Sequence, residues 1–228
     1  MCEVYNGCIN LVPIFNHLNN SLKFELENSI QHRHLAKGEY LYQADDKDNT
    51  LYIVHKGQIR IFHVSESGKE QMIRVLKTGD FTGELTIFSE NTYHDNFAEA
   101  TCQTAVCLIK QSDLMSLLAA NPKVTLKLLS LVAEKLQDSE KQMVSIATEP
   151  VINRIIYYLE SLPHESDVQN DIIIDVPMNR QDLASYLGTT PETISRRFKM
   201  MEMEGLLQTL PKNRLLIHDM NRLLEKIE

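Results

Sequence analysis

Asn179-Arg-Gln-Asp-Leu-Ala-Ser-Tyr-Leu-Gly-Thr-Thr-Pro-Glu-Thr-Ile-Ser-Arg-Arg-Phe198 reads as two short helices joined by a glycine turn. Asn179 is suited to cap the first helix, with Asp182 three residues on, and Leu183, Ala184 and Leu187 give it one apolar face. Gly188 supplies the backbone freedom of a sharp turn. Thr189 or Thr190 can cap the second helix, Pro191 suits its first position, and Ile194, Phe198 and Met201 recur at helical spacing as its core face. Gly205 ends it. Packing that face inward leaves Glu192, Ser195 and Arg196 together on another face, near the positive end of the helix. These side chains suit base edges: Arg196 can donate two hydrogen bonds to guanine, Glu192 can accept from cytosine N4, and Ser195 adapts to either. The plainer alternative is a solvated polar face on an ordinary helical hairpin.

Downstream, Leu206–Leu210 and Arg214–His218 are apolar-rich runs separated by Pro211-Lys212-Asn213, which predicts a tight hairpin, or wing, with a basic tip. Lys212 and Arg214 suit phosphate contacts, which position a protein on a duplex without specifying sequence. The expected DNA-contacting set is therefore Thr190, Glu192, Thr193, Ser195, Arg196, Arg197, Lys199, Lys212 and Arg214. Asp219 is expected to cap a terminal helix running to Glu228. Charge decides little. The chain carries −8 overall, yet from residue 180 onward eight basic residues meet seven acidic ones. An acidic body weakens non-specific attraction to the phosphate backbone and leaves more of the affinity to placed contacts.

At 228 residues, with 43% hydrophobic and 24% charged residues, the chain has the size and composition of a two-domain globular protein. No segment approaches the roughly 18 consecutive apolar residues of a membrane span, and the opening Met1-Cys-Glu-Val-Tyr-Asn lacks the basic and apolar regions of a secretion signal. The expectation is a cytoplasmic protein with no membrane partner. Five of the eight glycines, Gly38, Gly57, Gly68, Gly79 and Gly83, punctuate a stretch of β-type runs. Leu51–Val54, Ile59–Val64, Gln71–Leu76 and Ala105–Ile109 are the clearest, so a small β-barrel or β-roll is predicted, preceded by a helix over about residues 19–31.

From Ser112, expected to cap a short helix through Leu118, the pattern turns helical, and Asn121-Pro122 restarts a longer helix. Within it Leu129, Val132, Leu136, Ser139, Met143 and Ile146 alternate spacings of three and four, a heptad seam that calls for a twin helix and predicts a homodimer interface. The competing reading packs this stripe on the chain's own β-domain; Leu126, Leu128 and Leu131 are apolar too, so one helix can serve both ends. Thr148–Pro150 is a candidate hinge, Val151–Leu162 an amphipathic helix, Pro163–Asn170 a polar loop and Ile172–Val176 a short strand. The predicted architecture is α+β: a β-roll over residues 1–112, a dimerisation helix over 113–147 and a winged helix-turn-helix over 148–228.

This order resembles the CRP/FNR family of bacterial transcription regulators across nearly the whole chain. The matching motifs are Lys37-Gly-Glu, Tyr52-Ile-Val-His-Lys-Gly57, Gly79-Asp80, Gly83-Glu-Leu85, Asp182-Leu-Ala, Leu187-Gly188 and Glu192-Thr-Ile-Ser-Arg196. The resemblance implies that the β-roll is cyclic-nucleotide-binding-like. The last motif is similar to the FNR-like, Flp-type branch of Gram-positive bacteria, and implies a palindrome similar to TTGAT and ATCAA across a four-base spacer. It also implies double-stranded DNA, a second copy of the chain and RNA polymerase as partners. No Cys-x-x-Cys pair, P-loop or metalloprotease helix is present in the sequence, so an enzyme is not expected.

Members of the family that bind cyclic AMP follow Gly-Glu-Leu with an arginine and a small hydroxyl residue for the cyclic phosphate. Here the loop reads Tyr93-His-Asp-Asn-Phe97, Asp95 repels a phosphate, and no arginine follows Glu84 until Arg154, so cyclic AMP is not expected. All four cysteines, Cys2, Cys8, Cys102 and Cys107, lie in the sensor half. Cys2, Cys8 and Cys107 resemble ligands of the family's iron–sulfur cluster, but the first N-terminal ligand is missing. Cys102 and Cys107, five apart, face opposite sides of a straight strand. The resemblance suits a reversible thiol–disulfide switch equally well, and regulation by oxygen or redox state is expected through these cysteines. Three readings stay open at this point: a thiol switch, a metal or cluster to which His32 and His34, read as loop residues, could add ligands, and inert core cysteines. The alternative function is a regulator of the same fold controlled by a small-molecule or metal ligand, for instance a small anion or haem.

Overall fold

Two four-stranded antiparallel sheets form in the first half of the chain, because each short β-type run meets a turn before it can extend. In this computed structural model the described residues are 12, 15, 18, 20–90, 92–166 and 171–227. They divide into two units, Met1–Leu136 and Gln137–Glu228.

In the first unit, one sheet runs β1 (Gln31–Leu35), β8 (Thr104–Lys110), β3 (Thr50–Lys56), β6 (Phe81–Thr82). The other runs β2 (Tyr40–Tyr42), β7 (Phe97–Ala100), β4 (Ile59–Val64), β5 (Glu70–Leu76). Residues of both sheets share one apolar cluster, including Leu35, Tyr52, Val54, Ile59, Ile61, Leu76 and Val106. The opposite face of the first sheet, with Leu51, Ile53, Cys107 and Ile109, is covered by Leu26 of α1 (Asn20–Ser29) and by Leu114 and Leu117 of α3 (Gln111–Ala120). A strand buried on both faces has no polar side to show, which is why Leu51–Val54 is an unbroken apolar run rather than an alternating one. Gly83 precedes the short α2 (Glu84–Phe88) with φ +93°, and a Cβ there would lie 2.1 Å from the Thr50 carbonyl oxygen, so no larger residue fits this turn.

Several expectations need correction. Helix α1 stops at Ser29 and the chain turns directly into β1, so His32 and His34 lie on an edge strand rather than in a loop. Helix α3 begins at Gln111 with Lys110 as its cap residue and continues to Ala120; Ser112 sits inside its first turn, its hydroxyl donating to Asp113 Oδ1. Cys102 precedes β8 instead of lying on it, so strand alternation does not relate it to Cys107.

Helix α4 (Pro122–Thr148) contributes to both units. Val124 and Leu128 are buried in the roll-side cluster, and Leu131 and Val132 pack against it, so one seam position is used at home. Leu129, Leu136 and Met143 remain 60–65% exposed, an apolar stripe left uncovered among the described residues.

In the second unit, α5 (Val151–Ser161), α6 (Arg180–Tyr186), α7 (Pro191–Met203) and α8 (Met220–Leu224) accompany a sheet ordered β11 (Leu207–Leu210), β12 (Arg214–Ile217), β10 (Ile172–Asp175), β9 (His164–Ser166). The stretch read as a polar loop thus contains β9, which pairs with β10. Asp219 caps the last helix as expected, through the Asn221 and Arg222 amides, but that helix ends at Leu224. Ile155, Ile174, Ile194, Ile217 and Leu223 are fully buried. Among the described residues no helix is long and apolar enough to cross a membrane.

Candidate nucleic-acid interface

Capping fixes both short helices where the residue pattern placed them. The Asn179 side chain accepts from the Asp182 amide at 2.9 Å and donates to the Asp182 carboxylate at 2.7 Å. Thr190, not Thr189, caps α7, accepting from the Thr193 amide, and Pro191 opens the helix. Because Ile194, Phe198 and Met201 are buried, the helical repeat carries Glu192, Ser195 and Arg196 outward, and all three are exposed. Arg196 makes no hydrogen bond or ion pair among the described residues. The Glu192 carboxyl is held below the usual carboxylate range by its own backbone amide and by the Thr190 hydroxyl, so it is a full acceptor at neutral pH. Thr190 and Lys199 are exposed as well. Arg197 and Thr193 are half-buried, and the Arg197 Nε is buried without a hydrogen-bond partner, which distinguishes this guanidinium from its neighbour.

The turn between the helices is braced from outside the motif. Gly188 adopts φ +62°, and a Cβ there would come within 3.0 Å of Ile146 and 3.2 Å of the Arg154 guanidinium. Arg154 donates to the Leu187 carbonyl, and Gln142 donates to the Tyr186 carbonyl at 3.0 Å. Ile146, read as a seam residue, therefore lies against the reading motif.

The wing forms as expected. Leu207 pairs with Ile217 and Leu210 with Arg214, and the tip residues Lys212 and Asn213 both have positive φ. Lys212 is exposed, and the Arg214 Nε donates to the Pro211 carbonyl at 3.5 Å. Three residues that the sequence reading missed tie wing to helices. The Arg180 guanidinium stacks 3.7 Å from the Phe198 ring centroid and donates to the Thr209 hydroxyl at 3.3 Å. Glu202 accepts from the Thr209 amide at 2.9 Å, and the Thr209 hydroxyl together with this amide depresses its carboxyl pKa. Arg180, Lys212 and Arg214 also line a cleft of about 170 Å³ between α7 and the wing.

In the roll, Glu84 of the Gly83-Glu-Leu85 motif is engaged by the chain's own cations. Glu84 is buried, 3.1 Å from the Lys135 ammonium and 3.5 Å from Arg74, and Lys135 also donates to the Phe81 carbonyl at 2.7 Å. Burial lowers the Lys135 pKa and the Glu84 carboxylate counters it. Glu84 Oε2 and Arg74 Nε are nonetheless buried without hydrogen-bond partners beside a small pocket of about 30 Å³, which Asp95 and His94 also line.

The two described cysteines differ. Cys102 is an exposed free thiol. Cys107 is fully buried and disulfide-bonded, its Sγ 3.7 Å from His32 Nδ1. Cys2 and Cys8 lie outside the described residues. Among the described residues no group of three His, Cys, Asp or Glu side chains is placed to hold a metal ion, so His32 and His34 do not complete a metal site there.

A cyclic nucleotide-binding domain model matches residues 32–121 and a Crp-like helix-turn-helix domain model matches residues 153–226. The chain is 33% identical over 206 residues to a probable transcriptional regulator flp of Lacticaseibacillus casei, covering 89% of this chain and 90% of that one. It is 28% identical over 188 residues to the cAMP-activated global transcriptional regulator CRP of Salmonella typhimurium, covering 82% and 89%. Among solved structures, FixK2 of Bradyrhizobium japonicum shares the fold with a TM-score of 0.75 at 24% identity, covering 87% of this chain and 98% of that one. The chain belongs to the CRP/FNR family and is a DNA-binding transcription regulator of that type.

Proposed function

We propose that this protein is a homodimeric regulator that reads an FNR-like palindrome with α7 and responds to oxygen or redox state through thiol–disulfide exchange at its sensor cysteines. The observation that carries the DNA-reading half is the exposed set Glu192, Ser195 and Arg196 on a capped and buttressed helix. Arg196 and Glu192 serve as direct base readers, Ser195 as the adaptable neighbour, and Thr190, Thr193, Arg197, Lys199, Lys212 and Arg214 as flanking and phosphate contacts. The exposed stripe Leu129, Leu136 and Met143 supports the second copy as partner, which sets two recognition helices on two half-sites. Output passes to RNA polymerase, and the role is not enzymatic. The domain plan that serves this is a sensor roll over 1–112, a dimerisation helix over 113–147 and a DNA-binding domain over 148–228.

The buried disulfide at Cys107 supports a thiol switch over inert cysteines, with Cys102 as a second reactive thiol. The Salmonella relative is cAMP-activated by its name; here the Glu84 cluster with Lys135 and Arg74, and Asp95 at the pocket, argue against that ligand. A second reading, control by a small polar ligand in the roll, draws its support from the buried unpartnered atoms of Glu84 and Arg74 beside that pocket. One experiment separates these readings: a gel shift with a TTGAT/ATCAA duplex, using protein reduced and oxidised in parallel. Retardation that changes with redox state supports the switch. Equal retardation in both states moves control to the pocket, and no preference over scrambled duplex removes the assignment of α7.

A further inference from the structure

The buried sulfur of Cys107 and the imidazole of His32 are brought together by strand register. In the antiparallel pairing of β1 with β8, His32 is the direct partner of Cys107, and Nδ1 lies 3.7 Å from Sγ. Direct cross-strand partners project on the same face, so the backbone ladder sets these two side chains next to each other. On the other side of Cys107 stands Ile53 of β3, and both belong to the apolar cluster that includes Phe15, Leu26 and Ile109. Cys107 has no solvent exposure, whereas His32 on the edge strand is exposed.

That contrast matters for disulfide chemistry. When a disulfide opens, one sulfur departs with the electron pair, and the rate rises as that thiolate becomes easier to form. An apolar, water-free site makes a thiolate costly, so Cys107 is a poor leaving group unless a proton reaches it during the step. His32 touches both the buried sulfur and the solvent. The charged or titratable groups of the surrounding elements whose side chains are described are Arg33 and His34 on β1, Tyr52, His55 and Lys56 on β3, Lys110 on β8, Lys23 and Glu27 on α1, and Asp113 on α3. His55 is close enough to be influenced by His32; its pKa is lowered by burial, then by His32 and Lys56.

We propose that His32 is the proton relay of the Cys107 switch and carries protons between solvent and the buried sulfur. The inference rests on the redox reading above. In opening, the thiolate of a low-molecular-weight thiol attacks the sulfur bonded to Cys107 and forms a new S–S bond. The old bond breaks, its electron pair goes to Cys107 Sγ, and that sulfur takes the proton of His32 Nδ1; water reprotonates the ring. A second small thiol resolves the mixed disulfide, so two small thiols become one small disulfide while the protein gains two thiols. Closing is the reverse: a small disulfide is the oxidant and His32 accepts the Cys107 proton.

The test follows reduction of the Cys107 disulfide by glutathione in the full chain, over a range of pH, by acid quench, alkylation and mass mapping. His32→Ala is compared with wild type and with His63→Ala in the other sheet. The expected result is about ten-fold slower exchange in His32→Ala at neutral pH, loss of an inflection from its pH–rate profile, and partial recovery on adding imidazole, with His63→Ala unchanged. A His32→Ala profile that superimposes on wild type overturns the relay. So does slow exchange that imidazole does not restore, since that marks a structural role. If the wild-type protein forms no Cys107 disulfide under oxidation, the redox reading itself fails, an outcome distinct from either.

Discussion

The β-roll and the winged helix-turn-helix use charge in opposite ways. In the roll, Arg60 is held 2.6 Å from Glu99 and 3.0 Å from Glu70, and Glu84 is shared by Lys135 and Arg74. On α7, Arg196 and Lys199 face water with no ion pair among the described residues. Charges that are buried must be compensated by their own chain, and the compensation fixes a shape. Charges left in solvent cost nothing to maintain and keep their hydrogen-bonding capacity for a ligand. The roll therefore spends its charges on its own shape, whereas α7 keeps its charges open to a ligand.

The sharpest way to break this contrast is at Gly83. Gly83→Ala sets a Cβ against the Thr50 carbonyl in a left-handed turn, and is expected to cost about 4 kcal/mol or more. Denaturant unfolding should show the loss in the sensor unit, and a variant as stable as wild type refutes the fit described here. On the proposed reading, Arg196→Ala is expected to do the opposite: an unchanged melting temperature and oligomeric state, with about 1–3 kcal/mol of operator discrimination lost per contacted site. Gel shifts with operator and scrambled duplex measure it; undiminished preference removes Arg196 from base reading.

Acid titration sharpens the comparison further. Asp48 in the roll accepts from Tyr52 and lies 3.5 Å from His94; burial raises its pKa, but the adjacent His94 imidazole and hydrogen bonds from Tyr52 and Thr50 outweigh that and bring it to about 2. A depressed carboxyl stabilises the fold above its unfolded pKa of about 4 and loses that contribution as pH falls toward 2. Urea unfolding between pH 5 and pH 2 should therefore decline less steeply in Asp48→Asn than in wild type, and equal slopes contradict the assignment. Thr190→Ala removes the α7 cap and is expected to cost about 1 kcal/mol of stability, read by thermal unfolding. The smallest effect belongs to Lys212→Ala, which should weaken all duplexes alike and reduce the salt slope of binding by about one; a sequence-selective loss would reassign the wing tip to base contact.

Both helices of the reading motif, their capping residues and the wing hairpin were legible in the sequence. Those features rest on interactions within about four residues or on an uninterrupted hairpin, where spacing alone carries the information. The edge strand β1 and the short β9 were not legible, because neither carries an apolar run, and a strand of that kind exists only by virtue of the neighbour it pairs with. The seam of α4 was legible as a stripe, but not its division between the roll cluster, which takes Leu131 and Val132, and the solvent-facing Leu129, Leu136 and Met143.

The sequence by itself determined the reading motif, its family motifs and the order of domains, since each is encoded in neighbouring residues. Only the tertiary structure decided which distant groups meet. Lys135 finds Glu84 across 51 positions, Arg180 finds Thr209 across 29, and His32 finds Cys107 across 75. Such meetings depend on strand register and helix placement, which are set by burial summed over whole clusters, and no local pattern in the chain records them.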